Sequence, residues 1–86
     1  MNIFTRNGVR GVDTWRVRDN SLSQSRIVVH LKEACPRLRG TNYVYAGFMV
    51  TYMVAFVASP RVDRCPECWE PGDLVALRLL DTVNPA

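Results

Sequence analysis

One short segment of this sequence carries two cysteines at a spacing that suits metal binding, Cys65-Pro66-Glu67-Cys68. A turn of this length lets both sulfur atoms point to one side, and its proline stiffens it. A second pair, His30 and Cys35, lies upstream, and the two pairs use all three cysteines and the one histidine of the chain. Because each pair supplies one edge of a tetrahedron, the sequence predicts one Zn²⁺ site. Its ligands are His30, Cys35, Cys65 and Cys68.

Four protein ligands leave no coordination position for water or substrate, so we expect a structural site and no enzymatic activity. A zinc hydrolase is a further hypothesis, and it requires an open position. Two other interpretations of the cysteines also stay open. They are ordinary buried thiols beside an unrelated histidine, or a redox motif, although the βαβ context of that motif is missing. No catalytic residue is assigned, because Glu33 and Glu67 lie on loops where carboxylates are usually solvated.

Length and composition favour one small globular domain, residues 1–86. A chain of 86 residues gains only a thin margin of stability from its core, so a metal staple would be useful. Hydrophobic residues make up 48% of the chain, which excludes a disordered segment. The odd cysteine count opposes a disulfide scaffold and the polar start opposes a signal peptide, so we predict a cytoplasmic protein.

The first third of the chain is predicted to contain two strands. Residues 1–11 show no hydrophobic period, and we expect a loosely ordered start with a turn at Asn7-Gly8. Apolar and polar side chains partly alternate in residues 12–18, and a β-branched run follows at residues 26–31. The polar cluster at residues 19–21 favours a turn between them. The two upstream ligands therefore lie near the end of a strand and in the loop after it.

Residues 41–59 carry no charge and are long enough to span a bilayer as a helix. Val, Tyr, Phe and Thr dominate them, however, which is typical of strands. A straight helix rising about 1.5 Å per residue would also hold Cys35 and Cys65 roughly 30 Å apart, too far for one metal ion. We therefore predict a buried segment that doubles back, and membrane association through residues 41–59 stays an alternative. The predicted elements are a strand at 43–46, a bend at Gly47, and either a strand or a buried helix at 48–58.

In the C-terminal part, the sequence predicts a helix over residues 74–80. Asp73 begins this helix after a Pro-Gly turn, and a tail follows at 81–86. Its apolar face is formed either by Leu74, Leu77 and Leu80 or by the neighbouring Val75 and Leu79. Trp69 is expected to cover the metal loop, and the remaining large apolar side chains Trp15, Met49 and Met53 to fill the core. The predicted fold class is α+β: a small zinc-stapled domain, antiparallel and β-rich, with a C-terminal helix.

The motif residues resemble those of small zinc-binding proteins of actinobacteria and their phages. The shared pattern is Val29-His30, Cys35-Pro36 and Leu38, then Asn42 and Val44-Tyr45, then Arg64-Cys65-Pro66 and Cys68. It covers residues 28–69 and is more distantly similar to the metal-binding domain of the Ada protein. That domain uses four cysteines, the first of which accepts a methyl group. Since His30 takes that first position, the resemblance implies a zinc-stapled domain without methyl transfer.

Function is predicted at the level of a class. The first hypothesis is a non-enzymatic structural-zinc module, encoded by a phage if the resemblance holds, that binds a host or viral protein. Self-association into a homo-oligomer is a variant of it, since the uncharged segment would be adhesive if exposed. The alternative is a nucleic-acid-binding domain, in which arginines around the metal site contact phosphates. These arginines are Arg37, Arg39, Arg61 and Arg64. A net charge of +3 is modest for that role.

Overall fold

A computed structural model describes residues 1–19 and 26–83 of the chain. It shows a curled five-stranded sheet with two helices, which confirms the predicted α+β class with a C-terminal helix. The elements in chain order are β1 (Ile3–Arg6), β2 (Val9–Asp19), β3 (Arg26–His30), a 3₁₀ turn (Pro36–Leu38), β4 (Val44–Met49), α1 (Val50–Val57), β5 (Val62–Arg64) and α2 (Asp73–Val83).

The long strand β2 is the centre of the sheet. Val12 pairs with both β1 and β4, and Arg16 pairs with both β3 and β4. Strand β4 therefore lies along one edge of β2, while β1 and β3 share the other edge at its two ends. All of these pairs are antiparallel, as predicted. The exception is β5, which pairs with β3 in parallel because the chain crosses over through β4 and α1 before it returns.

The expectation of a loosely ordered N-terminus is wrong, because residues 1–11 form the hairpin of β1 and the start of β2. The turn predicted at Asn7-Gly8 is confirmed, with both residues at positive φ (53° and 77°). Positive φ at two successive positions gives the tight turn that matches strand twist. The ring of Phe4 lies directly over the backbone of Gly11, where a side chain would clash. This contact joins two strands, so the hydrophobic period of one segment could not reveal it.

The uncharged segment does double back, but its bend lies later than predicted. Gly47 is not a bend: it is inside β4, opposite Asp13, and its missing side chain leaves room for the Phe4 ring and the Tyr45 hydroxyl. The chain turns at Met49–Val50 and continues as α1. Of residues 48–58, which were predicted as either a strand or a helix, residues 50–57 are therefore helical. In the part of the chain that the structure describes, no helix is long and apolar enough to cross a membrane.

Helix α2 presents the first of the two predicted apolar faces to the core. Leu77 is fully buried and Leu74 and Leu80 are half-buried, whereas Val75 and Leu79 are exposed. The helix continues to Val83, so most of the predicted tail is helical, and residues 84–86 lie outside the described part. Asp73 is the first helical residue, and its carboxylate accepts the backbone N–H of Glu70 instead of a helical N–H.

The core lies between the sheet, the helices and the cysteine loops. Trp15 and Met53 belong to it as predicted, but Met49 is 57% exposed because it ends the outer strand β4. Thr14 is also fully buried, and its hydroxyl donates to the carbonyl of Ala46 at 2.7 Å. Most of the predicted turn at 19–21 lies outside the described residues.

Two substitutions on α2 test which face is buried. Leu77→Ala is expected to lower the free energy of unfolding by about 2–5 kcal/mol, because it removes buried apolar surface and leaves a cavity. Leu79→Ala, at a position that is 60% exposed, should change it by less than about 0.5 kcal/mol. Urea unfolding of metal-loaded protein, followed by circular dichroism, measures both. Equal losses in the two variants would contradict this packing.

Candidate metal centre

The parallel pair of β3 and β5 brings the first and third predicted ligands together. Val29 pairs with Arg64, and the backbone N–H of Cys65 continues the ladder by donating to the carbonyl of Val29 at 3.0 Å. His30 follows Val29 on β3, and Cys65 follows Arg64 on β5. Two residues far apart in the sequence therefore lie side by side where neighbouring strands end.

The second and fourth ligands are placed by short turns. The N–H of Cys35 donates to the carbonyl of Lys32 at 3.1 Å, and Cys35 then caps the 3₁₀ turn, whose Leu38 is buried. Pro36 begins that turn at a position where its missing N–H costs nothing. The loop of Cys65 and Cys68 closes through an N–H of Trp69 that donates to the carbonyl of Cys65 at 3.2 Å.

The four side chains converge on one point. Their ligand atoms all lie within 4.8 Å of one another, with Cys35 Sγ 3.7 Å from Cys65 Sγ and Cys68 Sγ 3.6 Å from His30 Nδ1. Tetrahedral ligands at bond lengths of about 2.0–2.3 Å are separated by roughly 3.5–3.8 Å. All three cysteines are free, and a disulfide would bring sulfur atoms to about 2.05 Å. The group therefore fits a metal ion and not a disulfide.

The centre is shielded from solvent. None of the four side chains is more than 4% exposed, and the three cysteines belong to the hydrophobic core cluster. The backbone N–H of Leu31 donates to Cys68 Sγ at 3.4 Å. Such N–H donors stabilise thiolates and orient them toward a metal ion. The environment is therefore built for a closed, structural type of metal site.

The titration properties of the ligands differ because their hydrogen bonds differ. Burial raises the pKa of Cys65, but hydrogen bonds from the backbone N–H groups of Glu67 and Cys68 and from the side chains of Cys35 and Cys68 together bring that pKa below its ordinary value. Burial and the neighbouring Cys65 raise the pKa of Cys68 to about 12. Burial and the charge of Arg37 lower the pKa of His30, which favours the neutral imidazole that binds metals. A metal ion would displace the thiol protons of the cysteines that remain protonated.

Trp69 is buried beside the ligand loop, as the covering role predicts. Its indole Nε1–H donates to the carbonyl of Val29 at 2.9 Å, which ties the loop to β3. The guanidinium carbon of Arg64 lies 5.7 Å from the centre of the indole ring. Trp69 therefore links the end of β3 to the segment that carries two of the ligands.

The four arginines of the nucleic-acid hypothesis are all exposed, and two of them also contact another side chain. Arg37 forms an ion pair with Glu67, with 3.2 Å between Nε and Oε1, and Arg64 lies over Trp69. Arg39 and Arg61 are exposed. Strand β5 was not predicted from the sequence. Neither were the two hydrogen bonds, each of 2.7 Å, that the guanidinium of Arg26 donates to the carboxylate of Asp63 and that join β3 to β5. A three-residue strand has no readable period, so no local signal could have revealed it.

No family model, no curated protein and no solved structure matches this chain. The resemblance to actinobacterial and phage zinc proteins therefore stays a prediction from the motif residues. The character of the site follows from its own geometry.

The hydrogen bond of Trp69 gives a testable consequence. Trp69→Phe removes one of the two donors to the carbonyl of Val29, which keeps the backbone N–H of Cys65. The loss of one hydrogen bond is expected to cost about 0.5–1.5 kcal/mol. Trp15→Phe is the matched control, because Trp15 has the same 8% exposure and the structure shows no hydrogen bond from its indole among the described residues. Chemical unfolding of metal-loaded proteins should show the larger loss for Trp69→Phe. A loss no greater than that of Trp15→Phe would contradict the link to β3.

Proposed function

We propose that this protein is a non-enzymatic interaction module that is stapled by one structural Zn²⁺ and binds another protein. The observation that carries the structural part is the convergence of four buried ligand side chains. Three thiolates and one imidazole are a ligand set typical of Zn²⁺. Coordination bonds to zinc would join the end of β3, the 3₁₀ turn and the loop after β5.

A structural role is favoured over a catalytic one by ligand count and by burial. Three cysteines and His30 fill a tetrahedron, so a substrate or a reactive water would find no free coordination position. The ligands are also closed off from solvent by the core. A hydrolytic zinc site has three protein ligands and a bound water.

A protein partner is favoured by the exposed apolar surface of the uncharged segment. Val44, Tyr45, Met49 and Tyr52 are 61%, 55%, 57% and 49% exposed. A concentration of large apolar side chains on the surface of a small domain is typical of an interaction site. Nucleic acid is less favoured, because Arg37 is paired with Glu67 and Arg64 covers Trp69. Two of the four arginine groups are therefore already engaged by other side chains of the domain.

Elemental mass spectrometry tests the staple. Purified wild-type protein is expected to contain one zinc per chain, and Cys68→Ser to lose the zinc and unfold because three ligands no longer close the site. The matched control is His30→Cys, which should keep the zinc because four thiolates also form a tetrahedral site. A folded wild-type protein without metal, or a folded Cys68→Ser variant, would contradict the proposal.

Selection from a displayed library of random linear peptides tests protein binding. Metal-loaded protein should enrich a family of related peptides. The nucleic-acid alternative predicts instead that the protein is retained on DNA or RNA at low salt and released steeply as salt rises. Retention of that kind without peptide enrichment would overturn the protein-binding proposal.

A further inference from the structure

The outer edge of β4 is open for pairing. In the described part of the chain, β4 pairs with β2 alone, and no backbone hydrogen bond outside the ladders involves residues 42–49. Natural edge strands are usually protected by Lys, Pro, bulges or a covering element. Strand β4 has the sequence Val-Tyr-Ala-Gly-Phe-Met, with no charge and no proline. It therefore lacks the features that would block the addition of another strand.

The direction of the free backbone groups follows from the register. The N–H of Asp13 donates to Asn2 on the β1 side at 2.9 Å, so the odd-numbered residues of β2 direct their backbone groups away from β4. The even-numbered residues of β2 then pair with Val44, Ala46 and Phe48. Backbone groups alternate in direction along a strand. Tyr45 and Gly47 therefore direct their N–H and C=O groups to the open edge.

Basic side chains mark the Met49 end of this edge. A cleft of about 280 Å³ lies between Phe4 and Met49 over Gly47, and Arg6 and Arg10 line it. The guanidinium carbon of Arg6 lies 5.8 Å from the centre of the Phe4 ring. Among the side chains that the structure describes, neither arginine has an ion pair. The cleft combines an apolar wall with the charge of Arg6, because Arg10 neighbours Gly11 on β2 and directs its side chain to the other face.

Two further arginines lie near the Val44 end of the β4 edge, on the other face of the sheet. Arg16 and Arg18 line a cleft of about 210 Å³ together with Val44. The guanidinium carbon of Arg16 lies 4.8 Å from the centre of the Phe48 ring, and its Nε atom is buried without a hydrogen-bond partner. No ion pair involves either arginine among the described side chains. The Arg16 guanidinium also lies 5.4 Å from the centre of the Phe56 ring, so Arg18 is the exposed positive charge at this end. Positive charge therefore lies near both ends of the uncharged edge.

We propose that an extended segment of a partner protein, with acidic residues near both of its ends, adds to β4 as a further strand. This inference rests on the proposed protein-binding function and names the partner's chemistry. Main-chain hydrogen bonds to Tyr45 and Gly47 would supply affinity, and Arg6 at one end and Arg18 at the other would select the acidic residues. At about 3.4 Å per residue the edge spans roughly 20 Å, the length of a six-residue segment. A second copy of this chain fits less well, because its own β4 has no acidic residue to meet these arginines.

A designed peptide tests the proposal on the metal-loaded protein. The probe is a linear peptide of alternating Val and Thr with Asp at both ends, and the control replaces both Asp residues by Lys. Measured by fluorescence anisotropy, the Asp peptide is expected to bind at least about tenfold more tightly than the Lys peptide, and its binding is expected to weaken as the salt concentration rises. Amide NMR shifts should concentrate on residues 44–49. N-methylation of one alternating set of peptide amides should abolish binding, and methylation of the other set should not.

Protein variants locate the charge selection. Arg6→Glu should weaken binding of the Asp peptide by about tenfold. Arg61→Glu makes an equal change of charge at an exposed position before β5 and should have little effect on that binding. Equal binding of the Asp and Lys peptides, equal effects of the two variants, or shifts that map elsewhere would overturn the edge proposal. If library peptides still bind in that case, the protein-binding function stands without it. If β4 instead pairs with itself, sedimentation will show a dimer, and the acidic-partner proposal fails.

Discussion

The fold depends on one geometric constraint: four ligand atoms from two distant segments must lie within 4.8 Å of one another. The parallel pair of β3 and β5 satisfies this constraint, because these neighbouring strands end at the same place, with His30 at the end of β3 and Cys65 directly after β5. A parallel pair needs a long crossover, and β4 with α1 provides it. The uncharged segment therefore has to turn back over the sheet, and it cannot form the straight helix that its composition alone would allow.

The same constraint explains how so short a chain can leave apolar surface exposed. The cysteines belong to the core cluster, so a metal bound there would join the core residues of β3, the 3₁₀ turn and the C-terminal segment. Metal-binding free energy contributes directly to folding free energy when the site is absent from the unfolded chain. Strand β4 itself has no buried residue, and among the described strands it pairs with β2 alone.

The sequence predicted the parts of the structure that have local causes. The ligand set, the turn at Asn7-Gly8, the strands β2 and β3 and the helix α2 all follow from residue type and spacing, which left two faces of α2 open as the buried one. The features that it did not predict depend on contacts between segments. Strand β1 is fixed by the Phe4 ring on Gly11, and Gly47 stays in β4 because neighbouring side chains occupy its empty side. Such contacts join distant residues, and a single sequence without its fold does not show them.

X-ray absorption at the zinc edge, recorded on the purified protein, tests the central claim most directly. A closed structural site predicts three sulfur ligands at about 2.3 Å and one nitrogen ligand at about 2.0 Å, with no oxygen ligand. The spectrum should also stay unchanged in His30→Cys except for the exchange of nitrogen for sulfur. An oxygen ligand, or fewer than three sulfur ligands, would contradict the account, because it would mean that one coordination position is open or that a cysteine lies outside the site.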